Sequence, residues 1–211
     1  MKSPLRYQMT EYDSAQTSIL NGISYLMDRE KINPSLISQI YRYSFDNMNE
    51  EFKSDSYQSD NIMTFITKYI NDFNKMNEYK LHFDEMDSSN IDMNFIKDCV
   101  SNNQIIIMPV TIDNSERYVT ITNTADENVC MFDPYYIDNN NELFTSNKDI
   151  IFEDAKPFEY NRIISKDRLF ANNIPYAKVS NKKAFVLTSN KLKEGVKISR
   201  KFDYIFEKTT I

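Results

Sequence analysis

Ser14 places a hydroxyl at the start of an apolar, helix-patterned run. A nucleophile there gains from the positive end of the helix dipole. Serine is nonetheless a weak nucleophile near neutral pH and depends on a neighbouring base. The chain offers few bases. Its only histidine is His82, in Leu81-His82-Phe83. Arg117, in the strand-like Arg117-Tyr118-Val119-Thr120-Ile121, has five donors and no acceptor. Its pKa above about 12 rules it out as a base. Asp133, in Asp133-Pro134-Tyr135-Tyr136, is a carboxylate that an arginine can pair with. Gln8, six residues before Ser14, adds amide donors. A helix start, Gln8 and Arg117 together suit a carboxylate or a peptide carbonyl better than bond cleavage.

No other catalytic pattern competes. The chain has no Gly-rich phosphate loop, no Cys or His metal cluster and no G-x-S-x-G elbow. No cofactor is implied. Asp138-Asn139-Asn140-Asn141-Glu142 carries oxygens that calcium accepts, but lacks the central glycine and spacing of an EF-hand, so a turn is expected. Asp84, Glu85 and Asp87 read as a solvated face.

Hydrophobic period places the elements that must position these groups. Residues from Ser14 to Met27 are expected as a helix, with Ile19, Ile23 and Leu26 at helical spacing and Asp13 as a side-chain N-cap. Asn33-Pro34 opens a second helix that buries Leu36, Ile37, Ile40 and Tyr41. The acidic stretch from Asp46 to Asp60 is expected as a loop. Asn61 to Asn77 is the third helix, with Phe65, Ile66, Tyr69, Ile70 and Phe73 on one stripe. A strand near Tyr79–Phe83 and a helix near Met93–Val100 come next. Gln104–Val110, Tyr118–Thr122, Asn128–Phe132, Asp149–Phe152 and Ala184–Thr188 read as strands. Helices first and antiparallel strands second give an α+β class. No repeat or long linker divides the 211 residues, so a single domain over 1–211 is expected.

Composition narrows the function classes. With 41% hydrophobic residues the chain can bury a core without disulfide staples. Tyr and Phe number 14 each, so that core is expected to be aromatic. Only 2 glycines are present, so asparagines must serve many turns. The abundance of Asn, Ile and Lys is of the kind that AT-rich bacterial genes produce. The net charge is −6, and the one basic scatter lies at Lys191, Lys193, Lys197, Arg200 and Lys201, which speaks against nucleic acid as a partner. No stretch approaches the ~20 apolar residues that span a membrane, and Met1-Lys2-Ser3-Pro4-Leu5 carries no apolar run of secretory length, so no secretory signal is expected. The cytoplasm is the expected location. Cys99 and Cys130 lie in apolar contexts and read as ordinary buried thiols, with a disulfide between them as the alternative that sequence does not decide.

The motifs Gln8-Met9-Thr10-Glu11-Tyr12-Asp13-Ser14, Arg117-Tyr118-Val119-Thr120-Ile121 and Asp133-Pro134-Tyr135-Tyr136 resemble, in order and spacing, those of papain-like cysteine peptidases. The likeness is to the bacteriocin-processing peptidases that cut double-glycine leaders. It runs from about Tyr7 to Ser189, and Pro157-Phe158-Glu159-Tyr160-Asn161-Arg162 also looks like a feature of bacterial members. The resemblance implies a papain-like fold, with N-terminal helices packed on a mainly antiparallel sheet. It equates Gln8 with the oxyanion donor, Ser14 with the cysteine nucleophile, Arg117 with the histidine base and Asp133 with the acid that orients it. Two of those four positions have lost the required chemistry. Ser14 alone could be a substrate trap; Arg117 in addition points to natural degeneration.

Three functions are then expected to compete. One is a pseudopeptidase that binds a peptide or partner protein in the former groove, as an accessory factor in peptide processing, export or biosynthesis. A second is an acyl- or amide-transfer enzyme using Ser14. A third is a structural or regulatory subunit with no occupied cleft. A neutral base near Ser14 would favour the second. A groove filled by the chain's own aromatic side chains would favour the third.

Overall fold

The first helix, α1 (Ser14–Leu26), is buried along its first ten residues, including the polar Ser14, Gln16, Thr17, Ser18 and Asn21. Such a helix needs partners for its polar groups on every side. α2 (Pro34–Asp46) comes after a short 3₁₀ turn, and its first turn is capped by the Asn33 side chain, which accepts from the Ser35 amide at 2.9 Å. α3 (Ser56–Asn77) completes the helical layer. The structure, a computed structural model, describes residues 1–11, 13–46, 56–77, 80–112, 115–138, 140–146, 148–171, 174, 176–179 and 182–189.

The remaining elements are β1 (Leu81–Asp87), α4 (Met93–Ser101), β2 (Gln104–Ile112), β3 (Ser115–Ala125), β4 (Asn128–Phe132), α5 (Glu142–Thr145), β5 (Ile150–Phe152), β6 (Arg162–Ser165), α6 (Lys166–Leu169), β7 (Ala177–Lys178) and β8 (Lys183–Ser189). The strands form one sheet in the order β1-β8-β2-β3-β4-β6-β5, with β7 beside β2. Every pairing is antiparallel. The fold is therefore α+β, with helices packed on an antiparallel sheet.

The two faces of the sheet carry two cores. On one, Ile19, Ile23, Leu36, Ile40, Ile66 and Ile70 of the first three helices meet Ile105, Ile107, Phe185 and Leu187. On the other, Ile96 and Cys99 of α4 meet Ile106, Met108, Val119, Ile121 and Met131. Alternate residues of β2 thus point to opposite cores, so this central strand reads as a continuous apolar run. Gly22 lets α1 lie close to the sheet: a Cβ there would come within 2.4 Å of the Ile105 Cδ1 atom.

The free edge of β1 is covered by α3. The Asn71 side chain donates to the Phe83 carbonyl and accepts from the Phe83 amide, both at 2.8 Å. Asn74 donates to the Leu81 carbonyl. These two asparagines satisfy backbone groups that another strand would otherwise take.

Several expectations change. α3 begins at Ser56, inside the stretch expected as a loop; residues 47–55 of that stretch lie outside the described residues, as do Tyr79, Asn139 and the basic scatter from Lys191 to Lys201. β6 and β7 are not expected from the sequence, because each is short and carries a charged residue. Left-handed backbone falls on Asn103, Asp126 and Tyr176. Asn103 and Asp126 fit a chain poor in glycine, whereas Tyr176 is a bulky side chain in a conformation that costs energy. Cys99 and Cys130 are buried free thiols, and burial pushes Cys130 up to about 11. Among the described residues, no helix is long and apolar enough to cross a membrane.

Candidate functional site

Ser14 stands at the first position of α1, against β3. Its Oγ accepts a hydrogen bond from the Tyr118 amide at 3.3 Å, and one turn on the Ser18 Oγ donates to the Tyr118 carbonyl at 2.8 Å. Tyr118 stands opposite Pro109 of β2, whose carbonyl accepts from the Val179 amide on its other side, so the backbone groups of Tyr118 face away from β2. On that side the pairing of β3 with β4 begins only at Thr120, and both backbone groups of Tyr118 turn to the helix. Thr120 adds a third link, donating to the Ser18 carbonyl at 3.1 Å. Ser14 is 6% exposed, so its hydroxyl lies beneath the surface.

Asp13 does not cap α1 as expected. Its carboxylate turns backwards, accepting from the Met9 amide at 2.9 Å, the Thr10 amide at 2.8 Å and the Thr10 hydroxyl at 2.9 Å. It makes no side-chain bond to the helix it precedes. A carboxylate can close the preceding turn as well as the next one, and the sequence pattern is the same for both.

Gln8 is held in the same loop. Its amide side chain donates to the Thr10 carbonyl at 2.7 Å, and its backbone amide donates to the Pro134 carbonyl at 2.8 Å. The N-terminal segment is also fixed to α1. Asn21 accepts from the Arg6 amide at 2.7 Å and donates to the Arg6 carbonyl at 2.9 Å. Gln8 is therefore tied to the segment that follows Asp133.

Arg117 precedes Tyr118 on β3 and is half-buried. Its guanidinium carbon lies 4.0 Å from the centre of the Tyr135 ring. The Tyr135 hydroxyl donates to Glu11 at 3.3 Å. Glu11, Tyr135 and Arg117 thus form a strap from the N-terminal loop to β3. Tyr7 extends this aromatic region, with ring centres 5.4 Å from Phe132 and 5.3 Å from Tyr136.

Asp133 is fully buried just beyond β4. One carboxylate oxygen accepts from the Tyr135 amide at 2.9 Å, and the other from the Tyr176 hydroxyl at 2.8 Å. Asn161 brackets its backbone, accepting from the Asp133 amide and donating to its carbonyl, both at 2.8 Å. Burial pushes the carboxyl above its ordinary value; Arg117, Arg162 and the two hydrogen bonds oppose that shift.

Sequence reasoning misses two residues here. Arg162 is fully buried, donates to the Tyr176 hydroxyl at 3.1 Å and to the Asn161 carbonyl at 2.8 Å, and lies 4.7 Å from both the Phe144 and the Phe152 ring centres. Tyr176 is fully buried between Arg162 and Asp133, and burial raises its phenol well above the ordinary range. The segment from Pro157 to Arg162 is visible as a motif, but its role as the support of Asp133 is not.

The structure brings Gln8, Ser14, Arg117 and Asp133 into one region and leaves His82 outside it. His82 lies on β1, separated from β3 by β8 and β2, or three strand spacings of about 4.8 Å each. Its exposed ring lies 3.1 Å from Asp84. Asp138 accepts from the Asn140 amide at 2.8 Å in a turn that leads into α5. Among the described residues, no group of three or more His, Cys, Asp or Glu could hold a metal ion.

No protein-family model and no curated protein matches the chain. Among solved structures it is similar to the peptidase domain of Streptococcus ComA, a bi-functional ABC transporter involved in a quorum-sensing pathway. The identity is 10%, the match covers 89% of this chain and 98% of that one, and the TM-score is 0.48.

Proposed function

We propose that this chain is a catalytically silent relative of the double-glycine-leader cysteine peptidases, and that it binds a peptide or a partner protein through the former substrate groove. The observation that carries this reading is the Ser14 hydroxyl. It is buried and holds the Tyr118 amide in place of a strand neighbour. At this position a side chain serves the packing of α1 on β3, while the adjacent Arg117 supplies no basic lone pair. In this reading Ser14 and Arg117 replace a cysteine and a histidine, and Asp133 is the retained acid. The chain works as a single domain in the bacterial cytoplasm, as an accessory factor in peptide processing, export or biosynthesis.

Acyl transfer through Ser14 has less support, because the one histidine lies at the far edge of the sheet. The structural-subunit reading has one observation in its favour, the strap from Glu11 through Tyr135 to Arg117. Titration of the purified protein with a fluorescent synthetic leader peptide ending in Gly-Gly separates the readings. Saturable binding without cleavage supports the pseudopeptidase. Cleavage or acylation that depends on Ser14 supports the enzyme. No binding, also after Tyr135→Ala opens the strap, supports the structural subunit.

A further inference from the structure

The buried pair Tyr176 and Arg162 engages the Asp133 carboxylate from the side of the protein interior. One Asp133 oxygen takes the Tyr176 hydroxyl at 2.8 Å, and that hydroxyl accepts from Arg162 Nε at 3.1 Å. A phenol that accepts from a guanidinium is a stronger donor onward, because hydrogen bonds in a chain polarise one another. The second Asp133 oxygen takes the Tyr135 amide. Tyr176 reaches its position from a left-handed backbone, φ 64°, which a tyrosine does not adopt without compensation. The hydrogen bond from its amide to the Thr111 carbonyl at 2.6 Å and the complete burial of its ring supply that compensation. The charged or titratable groups around Asp133 are Arg117 from β3, Arg162 from β6 and Tyr176 ahead of β7, with Glu11 joined through Tyr135.

We infer that Tyr176 is a positioning residue of this site: it competes with the side chain at position 117 for the Asp133 carboxylate, so that the silencing extends to a third position. This rests on the reading of Ser14, Arg117 and Asp133 as one former peptidase site. An imidazole placed at 117 would meet an acid whose negative charge is already shared with a polarised phenol. It would be held less firmly as imidazolium than by an acid free of that phenol.

The test is an NMR titration of the imidazole introduced by Arg117→His, with His82 as an internal reference. Adding Tyr176→Phe, which keeps the ring and removes the hydroxyl, is expected to make that imidazole titrate about one pH unit higher. An unchanged or lower titration would overturn the proposal. If Tyr176→Phe does not fold, Arg117→His alone decides. The Tyr176 hydroxyl proton is then expected to shift in step with the imidazole, and a hydroxyl resonance that stays fixed through the titration would overturn it. Asp133→Asn in the Arg117→His background tests the underlying reading separately. It is expected to lower the imidazole titration. No effect there would mean that positions 117 and 133 do not face each other, and would remove both claims. An Asp133 effect without a Tyr176 effect would remove the Tyr176 claim alone.

Discussion

The Oγ of Ser14 lies 3.3 Å from the backbone nitrogen of Tyr118, and accepts its hydrogen bond on the side where the pairing of β3 with β4 begins only at Thr120. This contact ties the first residue of α1 to the middle of the sheet. Ser14→Ala removes the acceptor and leaves a buried amide unpaired, which is expected to destabilise the protein by about 1–3 kcal/mol. Chemical denaturation checks this. A stability unchanged from the parent would show that the hydroxyl is not needed at this contact.

Asp133→Ala is expected to destabilise by roughly 3–5 kcal/mol, because Arg162 and Arg117 would lose their buried counter-charge. Arg117→Ala is expected to cost less, since Arg117 is only half-buried. The double variant should lose less than the sum of the singles, with a coupling of about 0.5–3 kcal/mol in a double-mutant cycle. Strict additivity would mean that the two charges act independently.

Asn71→Ala is expected to destabilise by about 1–3 kcal/mol, because the Phe83 amide and carbonyl lose both partners at the sheet edge. Hydrogen exchange at the Phe83 amide should accelerate by more than at neighbouring β1 amides. Equal protection in parent and variant would show that α3 shields this edge without the Asn71 bonds.

Glu127 accepts from Lys166 and Lys97, which hold its carboxyl down at about 2, below the ordinary 4.5. The folded state therefore binds this proton less readily than the unfolded state. The stabilisation is present above pH 4.5 and is lost as the pH falls from 4.5 towards about 2. Glu127→Gln should flatten the acid limb of the stability profile in that window, and high salt should flatten it in the parent because the groups are exposed. An acid limb unchanged in Glu127→Gln would assign it to other carboxylates.

Much of the fold is legible in the sequence because hydrophobic period reports burial directly. α1, α2 and α4 and the strands β2, β3, β4 and β8 lie where their patterns place them to within a few residues. The start of α3 is not legible, since Ser56–Asp60 lies in a polar, acidic stretch and joins the helix only as an extension of the apolar stripe that begins after it. The four candidate residues converge because α1 packs beside β3 and the segment after β4 returns to Gln8. The inner support of Asp133 cannot be read from the chain. An arginine ordinarily marks a surface, yet Arg162 lies between two phenylalanine rings, and nothing in its sequence neighbours announces the left-handed Tyr176. The direction of Asp13 is equally hidden, because the same carboxylate can serve the turn before it or the helix after it.

The most direct measurement is hydrolysis of a synthetic leader peptide ending in Gly-Gly, monitored by mass spectrometry, for the parent, Ser14→Ala, Ser14→Cys, Arg117→His and the Ser14→Cys/Arg117→His double variant. The expected result is no turnover in the parent or in any single variant, because nucleophile and base act as a unit. Restored cleavage should require the double variant. Cleavage by the parent that disappears in Ser14→Ala would contradict the account, and would make Ser14 a working nucleophile.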